Sequence, residues 1–166
     1  ALLHNLFGRL IDCALQQPKV LVHRDFHSRN LMLFGQDELA VIDFQDAVIG
    51  PLSYDLVSLL RDCYIQWPAA RVREWALAHC DLLCSRGLLA ATNEALFLRW
   101  FDWMGLQRHI KVLGTFARLY LRDGKSAYLG DLPLVLEYVL EIVNKYAGEE
   151  PAFAEFGAWF SLRLAP

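Results

Sequence analysis

The residues best suited to chemistry lie in one short polar stretch and at the end of one apolar run. Residues 23–30 read HRDFHSRN between two apolar runs, and Asp43 closes a third. An aspartate followed five residues later by an asparagine can direct both side chains into one cleft, and a returning hairpin would bring Asp43 to the same edge. Phosphoryl transfer from a nucleotide needs such a set, because one carboxylate orients the attacking hydroxyl while an asparagine and an aspartate hold Mg²⁺ against the phosphates. The spacing of Asp25, Asn30 and Asp43 therefore predicts a phosphotransferase site.

Short strands and amphipathic helices must position this polar stretch. Apolar residues recur at helical spacing from Leu2 to Leu15 and stop before Pro18, which predicts a first helix. Three apolar runs predict short strands, with a hairpin turn at residues 35–37 between the second and the third: Val20–Val22, Leu31–Phe34 and Leu39–Ile42. After Pro51 the helical period predicts five further helices: Leu52–Asp62, Pro68–Arg86, Thr92–Arg122, Asp131–Tyr146 and Pro151–Leu162. We therefore expect an α+β fold that is mostly α-helical, with a small catalytic β-hairpin and about six helices.

Length and composition exclude several classes of protein. With 166 residues the chain is predicted to form a single domain over residues 1–166. Hydrophobic residues make up 55%, which excludes a disordered chain, and a net charge of −3 offers no positive field for nucleic acid. No apolar stretch is long enough to span a membrane. The four cysteines form no C-x-x-C pair and are interpreted as buried thiols, so we expect a reducing, cytoplasmic location.

The polar stretch resembles the catalytic loop of the kinase-like fold. That loop reads H-x-D-x-x-x-x-N, and its metal-binding aspartate follows a short hairpin; type, order and spacing match at His23, Asp25, Asn30 and Asp43. The resemblance implies that Asp25 is the catalytic base, beside His23 and Arg24 in the same motif. It also implies that Asn30 and Asp43 bind Mg²⁺ and that ATP is the co-substrate. Taken singly, each residue also has a structural explanation, because aspartate and asparagine favour loop caps and turns and a histidine can lie in a core.

The sequence after the metal-binding aspartate resembles the small-molecule branch of this fold rather than the protein kinases. Asp43-Phe44-Gln45 is followed by a new helix near residues 51–55, which leaves no room for an activation segment or a peptide platform. This arrangement is similar to aminoglycoside phosphotransferases and choline kinases. In these families a helix aspartate, here Asp55, braces the catalytic loop through backbone hydrogen bonds, although the helix dipole also favours a carboxylate in a first turn. His27 either supports the loop or touches substrate, and Asp46 either approaches a second metal or the substrate or caps the loop.

One bacterial branch resembles more of the chain than the others do. Four runs look like the sugar kinases that phosphorylate the anomeric hydroxyl of N-acetylmuramate and N-acetylglucosamine in cell-wall recycling: residues 23–32, 41–62, 103–114 and 116–122. By this resemblance the small-molecule substrate is an amino sugar. Trp100, Trp103 and Arg108 are then candidate substrate-binding residues, because aromatic faces suit sugar C–H surfaces and a cation suits a lactate carboxylate. Alternatively, the tryptophans lie in the core and the arginine lies on a solvated helix face.

The chain contains no glycine-rich phosphate-binding loop, which kinase-like enzymes carry together with a strand lysine. The resemblance therefore implies that this is a C-terminal lobe, that an N-terminal nucleotide-binding lobe lies upstream, and that the isolated lobe is inactive. Two alternatives remain open: a lobe of an aminoglycoside or choline-type kinase, and a non-catalytic kinase-like binding module. Cationic acceptors would favour a carboxylate-rich pocket, whereas residues 100–111 contribute only Asp102 against Arg108 and Lys111.

Overall fold

Six α-helices and four short strands form the part of the chain that the computed structural model describes, residues 1–35 and 38–164. The helices are α1 (Leu2–Leu15), α2 (Tyr54–Leu60), α3 (Ala69–Ser85), α4 (Glu94–Asp123), α5 (Leu132–Tyr146) and α6 (Pro151–Leu164). The strands are β1 (Lys19–Val22), β2 (Leu31–Phe34), β3 (Glu38–Val41) and β4 (Val48–Pro51), and 3₁₀ turns occupy Ser28–Asn30 and Ser126–Asp131. The predicted α+β, mostly helical fold is therefore confirmed.

The hairpin of β2 and β3 follows the polar stretch, as the apolar runs predicted. The two strands pair antiparallel, with Leu31 opposite Val41 at the end nearest the site. Gly35 follows β2 with a φ of +64°, a left-handed conformation that glycine adopts without a steric penalty. The predicted turn residues 36–37 lie outside the described residues. Strand β3 begins and ends one residue before the predicted range, Leu39–Ile42.

The sequence analysis did not predict the fourth strand. β4 pairs antiparallel with β1, so that Val22 at the end of β1 lies opposite Val48 at the start of β4. The run Val48–Pro51 is short and ends in glycine and proline, which are depleted in strands. A Cβ atom on Gly50 would lie 3.2 Å from Cγ2 of Val22, so the glycine allows the two strands to pack closely. The pairing brings the start of the polar stretch and the segment after Asp43 to one end of this sheet.

Helix α4 begins at Glu94 rather than at the predicted Thr92. The side chain of Asn93 caps it, since Oδ1 accepts the backbone N–H of Ala95 at 2.7 Å. The hydroxyl of Thr92 instead donates to the carbonyl of Ala90 at 2.7 Å. Asparagine and threonine both favour the capping position, so residue type alone did not decide between the two neighbours.

The chain divides into two compact units, and the polar stretch belongs to one of them. The first unit comprises Ala1–Cys13 and Leu106–Pro166, and the second comprises Ala14–Gly105. The single domain over residues 1–166 stays a prediction. Within the described ranges, none of the helices is both long and apolar enough to cross a membrane.

Each unit contains its own buried apolar side chains. In the second unit they come mainly from α2, α3 and the first half of α4: Leu52, Val57, Val72, Ala76, Phe97 and Phe101. In the first unit they come mainly from α5 and α6: Val135, Val139, Val143, Phe153 and Phe156. Gly157 allows α5 and α6 to approach closely, because a Cβ atom there would lie only 2.6 Å from Cγ1 of Val143.

Candidate active site

The polar stretch leaves β1 at His23 and is held there by the side chain of Asp55. Asp55 lies in the first turn of α2, and its Oδ2 accepts the backbone N–H of His23 at 2.6 Å. Its Oδ1 accepts the backbone N–H of Arg24 at 3.0 Å. Hydrogen bonds to an ionised carboxylate are about twice as strong as those between neutral groups. Asp55 therefore fixes the backbone immediately before Asp25, and its role in a reaction stays a prediction.

Two residues of the site have left-handed backbone conformations although neither is glycine. The φ angle is +77° at Arg24 and +67° at Asp43. Such conformations cost about 1–3 kcal/mol at a non-glycine residue and persist only where neighbouring contacts hold them. Asp55 holds the N–H of Arg24, and the Nε2 amide of Gln45 donates to Oδ1 of Asp43 at 2.6 Å. Strain of this kind is concentrated at functional sites, so its location here supports a functional loop.

Asn30 joins the two halves of the site. Its Nδ2 amide donates to the carbonyl of Asp25 at 2.9 Å and to Oδ2 of Asp43 at 3.3 Å. The backbone of Asn30 also takes part, because its carbonyl accepts the N–H of Ile42 at 3.1 Å. The structure thus brings together Asp25, Asn30 and Asp43, the three residues whose spacing predicted a phosphotransferase site.

His23 connects the same two segments through its ring. Its Nε2 lies 2.9 Å from the carbonyl oxygen of Ile42. A carbonyl oxygen can only accept, so Nε2 carries the proton. Nδ1 is buried and has no hydrogen-bond partner in the described part of the chain. His23 therefore ties the start of the catalytic loop to the residue that precedes Asp43.

Asp62 is a buried carboxylate at the site that the sequence analysis did not single out. It is only 3% exposed, and its Oδ2 accepts both the N–H of Ser28 at 3.1 Å and the hydroxyl of Ser28 at 2.5 Å. Its Oδ1 accepts the N–H of Tyr64 at 3.1 Å. The sequence carried no local signal for this contact, because α2 ends at Leu60 and Asp62 lies in the segment that follows it. Gln45, which holds Asp43, was also missed.

The ring of Tyr64 packs against the middle of the catalytic loop. The guanidinium carbon of Arg29 lies 3.5 Å from the ring centroid, a cation–π contact. The ring of His27 meets the Tyr64 ring edge-on at 5.5 Å. The role of His27 in supporting the loop stays a prediction. Burial raises the pKa of Tyr64 to about 12, so the phenol stays neutral at physiological pH.

The four residues predicted to contact substrate lie in different environments. Trp100 and Trp103 are only 6% and 5% exposed in α4, which leaves little ring surface for a ligand. Arg108 is half-buried and belongs to the first unit. Asp46 is exposed, and its carbonyl accepts a hydrogen bond from Nη1 of Arg24 at 3.4 Å, so only its backbone is tied to the loop. The substrate roles of all four stay predictions.

The donor set at Asn30 and Asp43 fits Mg²⁺. The amide nitrogen of Asn30 is engaged by Asp25 and Asp43, which leaves its Oδ1 as a ligand beside the Asp43 carboxylate. Oxygen ligands are those that Mg²⁺ prefers, and it is often held by one or two carboxylates while phosphate oxygens and waters complete the coordination. Among the described residues no cluster of three or more histidine, cysteine, aspartate or glutamate side chains forms a closed metal site. The arrangement therefore suits a metal that arrives with a phosphate ligand.

Sequence comparison with known proteins shows the family of this chain. The model of the family described as Phosphotransferase enzyme family matches residues 1–95. An N-acetylmuramate/N-acetylglucosamine kinase of Neisseria meningitidis serogroup B is 48% identical over 145 residues, which are 87% of this chain and 43% of that protein. The protein of the same name from Pseudomonas putida is 46% identical over 148 residues, 89% of this chain and 42% of its own. That of Caulobacter vibrioides is 33% identical over 148 residues, 85% of this chain and 37% of its own.

These matches confirm the resemblance predicted from the catalytic motif. The chain spans less than half the length of the relatives that it matches. The family match covers more than half of the chain and includes the catalytic loop, the hairpin and Asp55. The chain therefore belongs to the phosphotransferase enzyme family.

Proposed function

We propose that the full-length protein containing this chain is an ATP-dependent kinase that transfers a γ-phosphoryl group to the anomeric hydroxyl of N-acetylmuramate or N-acetylglucosamine. The observation that carries this proposal is the double contact of the Asn30 amide with the Asp25 carbonyl and the Asp43 carboxylate. It brings the main chain of Asp25, the proposed base, next to the two proposed metal-binding side chains, and phosphoryl transfer uses these three groups together. The names of the relatives supply the acceptor class.

In this proposal Asp25 is the catalytic base. Its backbone carbonyl accepts the N–H of His27 at 3.0 Å and the amide of Asn30 at 2.9 Å, so the main chain at this position is fixed. Its carboxylate makes no hydrogen bond within the described ranges and is half-buried, which leaves it available to orient a sugar hydroxyl and take up its proton. His23, Arg24 and Asp55 hold the backbone that presents this carboxylate.

Asn30 and Asp43 are proposed to hold Mg²⁺, which would neutralise charge on the phosphates when bound. The Gln45 amide on Oδ1 of Asp43 and the Asn30 amide on its Oδ2 keep the carboxylate from rotating. A fixed ligand lowers the entropy that metal binding must overcome.

We also propose that a further lobe supplies the remaining nucleotide contacts. The chain has no glycine-rich loop, and the relatives are more than twice as long as the segment that matches it. A lobe that covers the phosphates positions them and excludes water, both of which are large contributions to catalysis.

None of the four cysteines forms a disulfide, which supports the proposed cytoplasmic location.

The test is ADP release by the full-length protein with ATP and Mg²⁺, measured with four acceptors and with Asp25→Asn as the blank. The acceptors are N-acetylmuramate, N-acetylglucosamine, an aminoglycoside and choline. We expect turnover on the two amino sugars only, abolished in the blank, with a product whose phosphorus nucleus couples to the anomeric proton. Turnover on the aminoglycoside or on choline would contradict the proposed acceptor. If no ADP is released with any of the four acceptors, with or without Mg²⁺, the result would support a binding module instead.

A further inference from the structure

We infer that Asp62 is a positioning residue that sets the affinity of Asn30 for the metal-bound nucleotide, by clamping the Ser28–Asn30 turn to the segment that follows α2. The inference rests on the proposed function, because it concerns the metal ligand of that same site. Asp62 lies outside the motif His23–Asn30 and contacts it at Ser28, a position that the motif leaves unspecified. We call Asp62 and Tyr64 together the connector clamp.

The first step is the number of donors that meet on one carboxylate. Oδ2 of Asp62 accepts the N–H and the hydroxyl of Ser28, and Oδ1 accepts the N–H of Tyr64. At 3% exposure the carboxylate has little access to water, so these three donors replace its hydration. All three contacts need an acceptor, and a carboxylate can accept on both of its oxygens. In an asparagine, an NH₂ group would replace one of these two oxygens, and this donor would face another donor.

The second step leads from Ser28 to Asn30. The two residues begin and end one 3₁₀ turn, which is closed by the N–H of Asn30 on the carbonyl of His27 at 2.9 Å. A turn of three residues has no stability of its own, and the first N–H groups of any helical turn lack partners within it. The N–H of Ser28 is such a group, and Asp62 supplies its partner. The position of Asn30 therefore depends on Asp62, which lies 34 residues after Ser28 in the sequence.

The third step concerns the other side of the clamp. The Tyr64 ring supports Arg29 at 3.5 Å and faces the edge of His27 at 5.5 Å. Because Oδ1 of Asp62 holds the backbone N–H of Tyr64, the same carboxylate fixes the surface on which residues 27–29 rest. The clamp thus holds the middle of the loop by hydrogen bonds at Ser28 and by ring contacts at His27 and Arg29.

The two carboxylates that hold the loop act on different residues. Asp55 binds the N–H groups of His23 and Arg24, immediately before the proposed base Asp25. Asp62 binds Ser28, two residues before the proposed metal ligand Asn30. Loss of Asp55 should therefore affect the chemical step, whereas loss of Asp62 should affect binding of the metal-bound nucleotide.

The experiment compares Asp62→Asn and Ser28→Ala with wild type in the full-length protein. The primary readout is calorimetric binding of a non-hydrolysable ATP analogue as a function of Mg²⁺ concentration, which needs no turnover. Removing the partner that orients a metal ligand typically costs about 10–100-fold in metal affinity. We expect a loss in that range for Asp62→Asn and a smaller loss for Ser28→Ala, which keeps the backbone N–H. Saturating Mg²⁺ should restore most of the turnover of both variants.

Glu150→Gln is the matched control. Glu150 is also a buried carboxylate, 9% exposed, but it pairs with Arg9 at 2.8 Å within the first unit. It should lower the melting temperature while leaving the Mg²⁺ dependence unchanged. If Asp62→Asn behaves like Glu150→Gln, with lower stability and an unchanged Mg²⁺ affinity, the inference is wrong. If Asp62→Asn does not fold, an unchanged Mg²⁺ affinity in Ser28→Ala has the same meaning. If the wild type binds the nucleotide with Mg²⁺ but phosphorylates no acceptor, only the proposed function is contradicted. The Mg²⁺ affinities of the variants then still test the role of Asp62.

Discussion

Residues 23–30 are held in place by side-chain carboxylates, whereas α5 and α6 are held by their own backbone hydrogen bonds and by apolar packing. In the loop, Asp55 and Asp62 accept backbone N–H groups, and two non-glycine residues of the site have positive φ angles. In the helix pair, five apolar side chains are nearly inaccessible: Val135, Val139, Val143, Phe153 and Phe156. The loop is irregular because its polar side chains must converge, and a regular element would point them apart.

This difference separates residues that serve stability from residues that serve the site. Apolar burial contributes about 25 cal/mol for each Å² removed from water, so the helix pair gains stability from every contact. The site, by contrast, carries about 1–3 kcal/mol of backbone strain at each of Arg24 and Asp43. Substitutions in the loop should therefore reduce activity more than stability, and substitutions in the helix pair should do the reverse.

The largest expected effect is that of Asp25→Asn on turnover of the full-length protein. We expect turnover to fall by about 10²–10⁴-fold, the usual contribution of a general base, with nucleotide binding nearly unchanged. The melting temperature should stay close to that of wild type, because the Asp25 carboxylate makes no hydrogen bond in the described ranges. Asp81→Asn, at an exposed position of α3, is the control and should change neither quantity. Near-normal turnover in Asp25→Asn would show that Asp25 is not the catalytic base.

The next largest effect is that of Phe153→Ala on stability. Phe153 in α6 is fully buried and its ring meets that of Tyr146 edge-on at 6.2 Å. Removing a buried phenylalanine costs about 3–5 kcal/mol, so chemical denaturation should show a large loss. The apparent Mg²⁺ affinity of the folded fraction should not change. Leu162→Ala, at a position 76% exposed in the same helix, should have little effect on either. An equally large loss in Leu162→Ala would contradict the core described for this unit.

Regular elements were predictable from the sequence because their signal is local. Helix α1 was predicted from Leu2 to Leu15, where the structure has it, since a clear apolar period ends before Pro18. The hairpin strands were predicted within one residue for the same reason. β4 was missed because its existence depends on pairing with β1, and a short run that ends in glycine and proline carries little strand signal of its own.

Within the site, the residues of the motif were predictable and the contacts that hold them were not. The spacing of Asp25, Asn30 and Asp43 indicated their convergence, but Asp62 meets its donors only through the fold. The positive φ angle at Arg24 was equally hidden, because arginine is not among the residue types that favour such a conformation, which are glycine, asparagine, aspartate and histidine. Helical spacing of tryptophans fits a core as well as a pocket, so it could not show how deeply they are buried.

Gly157→Ala should have an intermediate effect, since it tests how closely α5 and α6 must approach. A Cβ atom at this position would lie 2.6 Å from Cγ1 of Val143, and overpacking of this kind typically costs about 1–3 kcal/mol. Gly148→Ala is the matched control, because a Cβ atom there would meet no atom within 4 Å. We expect the melting temperature to fall only in Gly157→Ala. A fall of equal size in both would mean that the distance to Val143 does not decide the effect.

The smallest effect is expected for Asn93→Ala, which removes the cap of α4. Loss of an asparagine cap costs about 1 kcal/mol, because the N–H of Ala95 then loses its acceptor. Asn144→Ala serves as the control: Asn144 is exposed in the last turn of α5, where alanine has the higher helix propensity, so stability should rise slightly. Urea denaturation of both variants measures the two opposite shifts. The hydrogen bonds of Asn93 lie within the start of α4, so turnover of the full-length protein should stay unchanged in this variant. A loss of turnover without a loss of stability in Asn93→Ala would contradict this division between site and stability, since it would mean that a residue at the end of a regular helix serves the site.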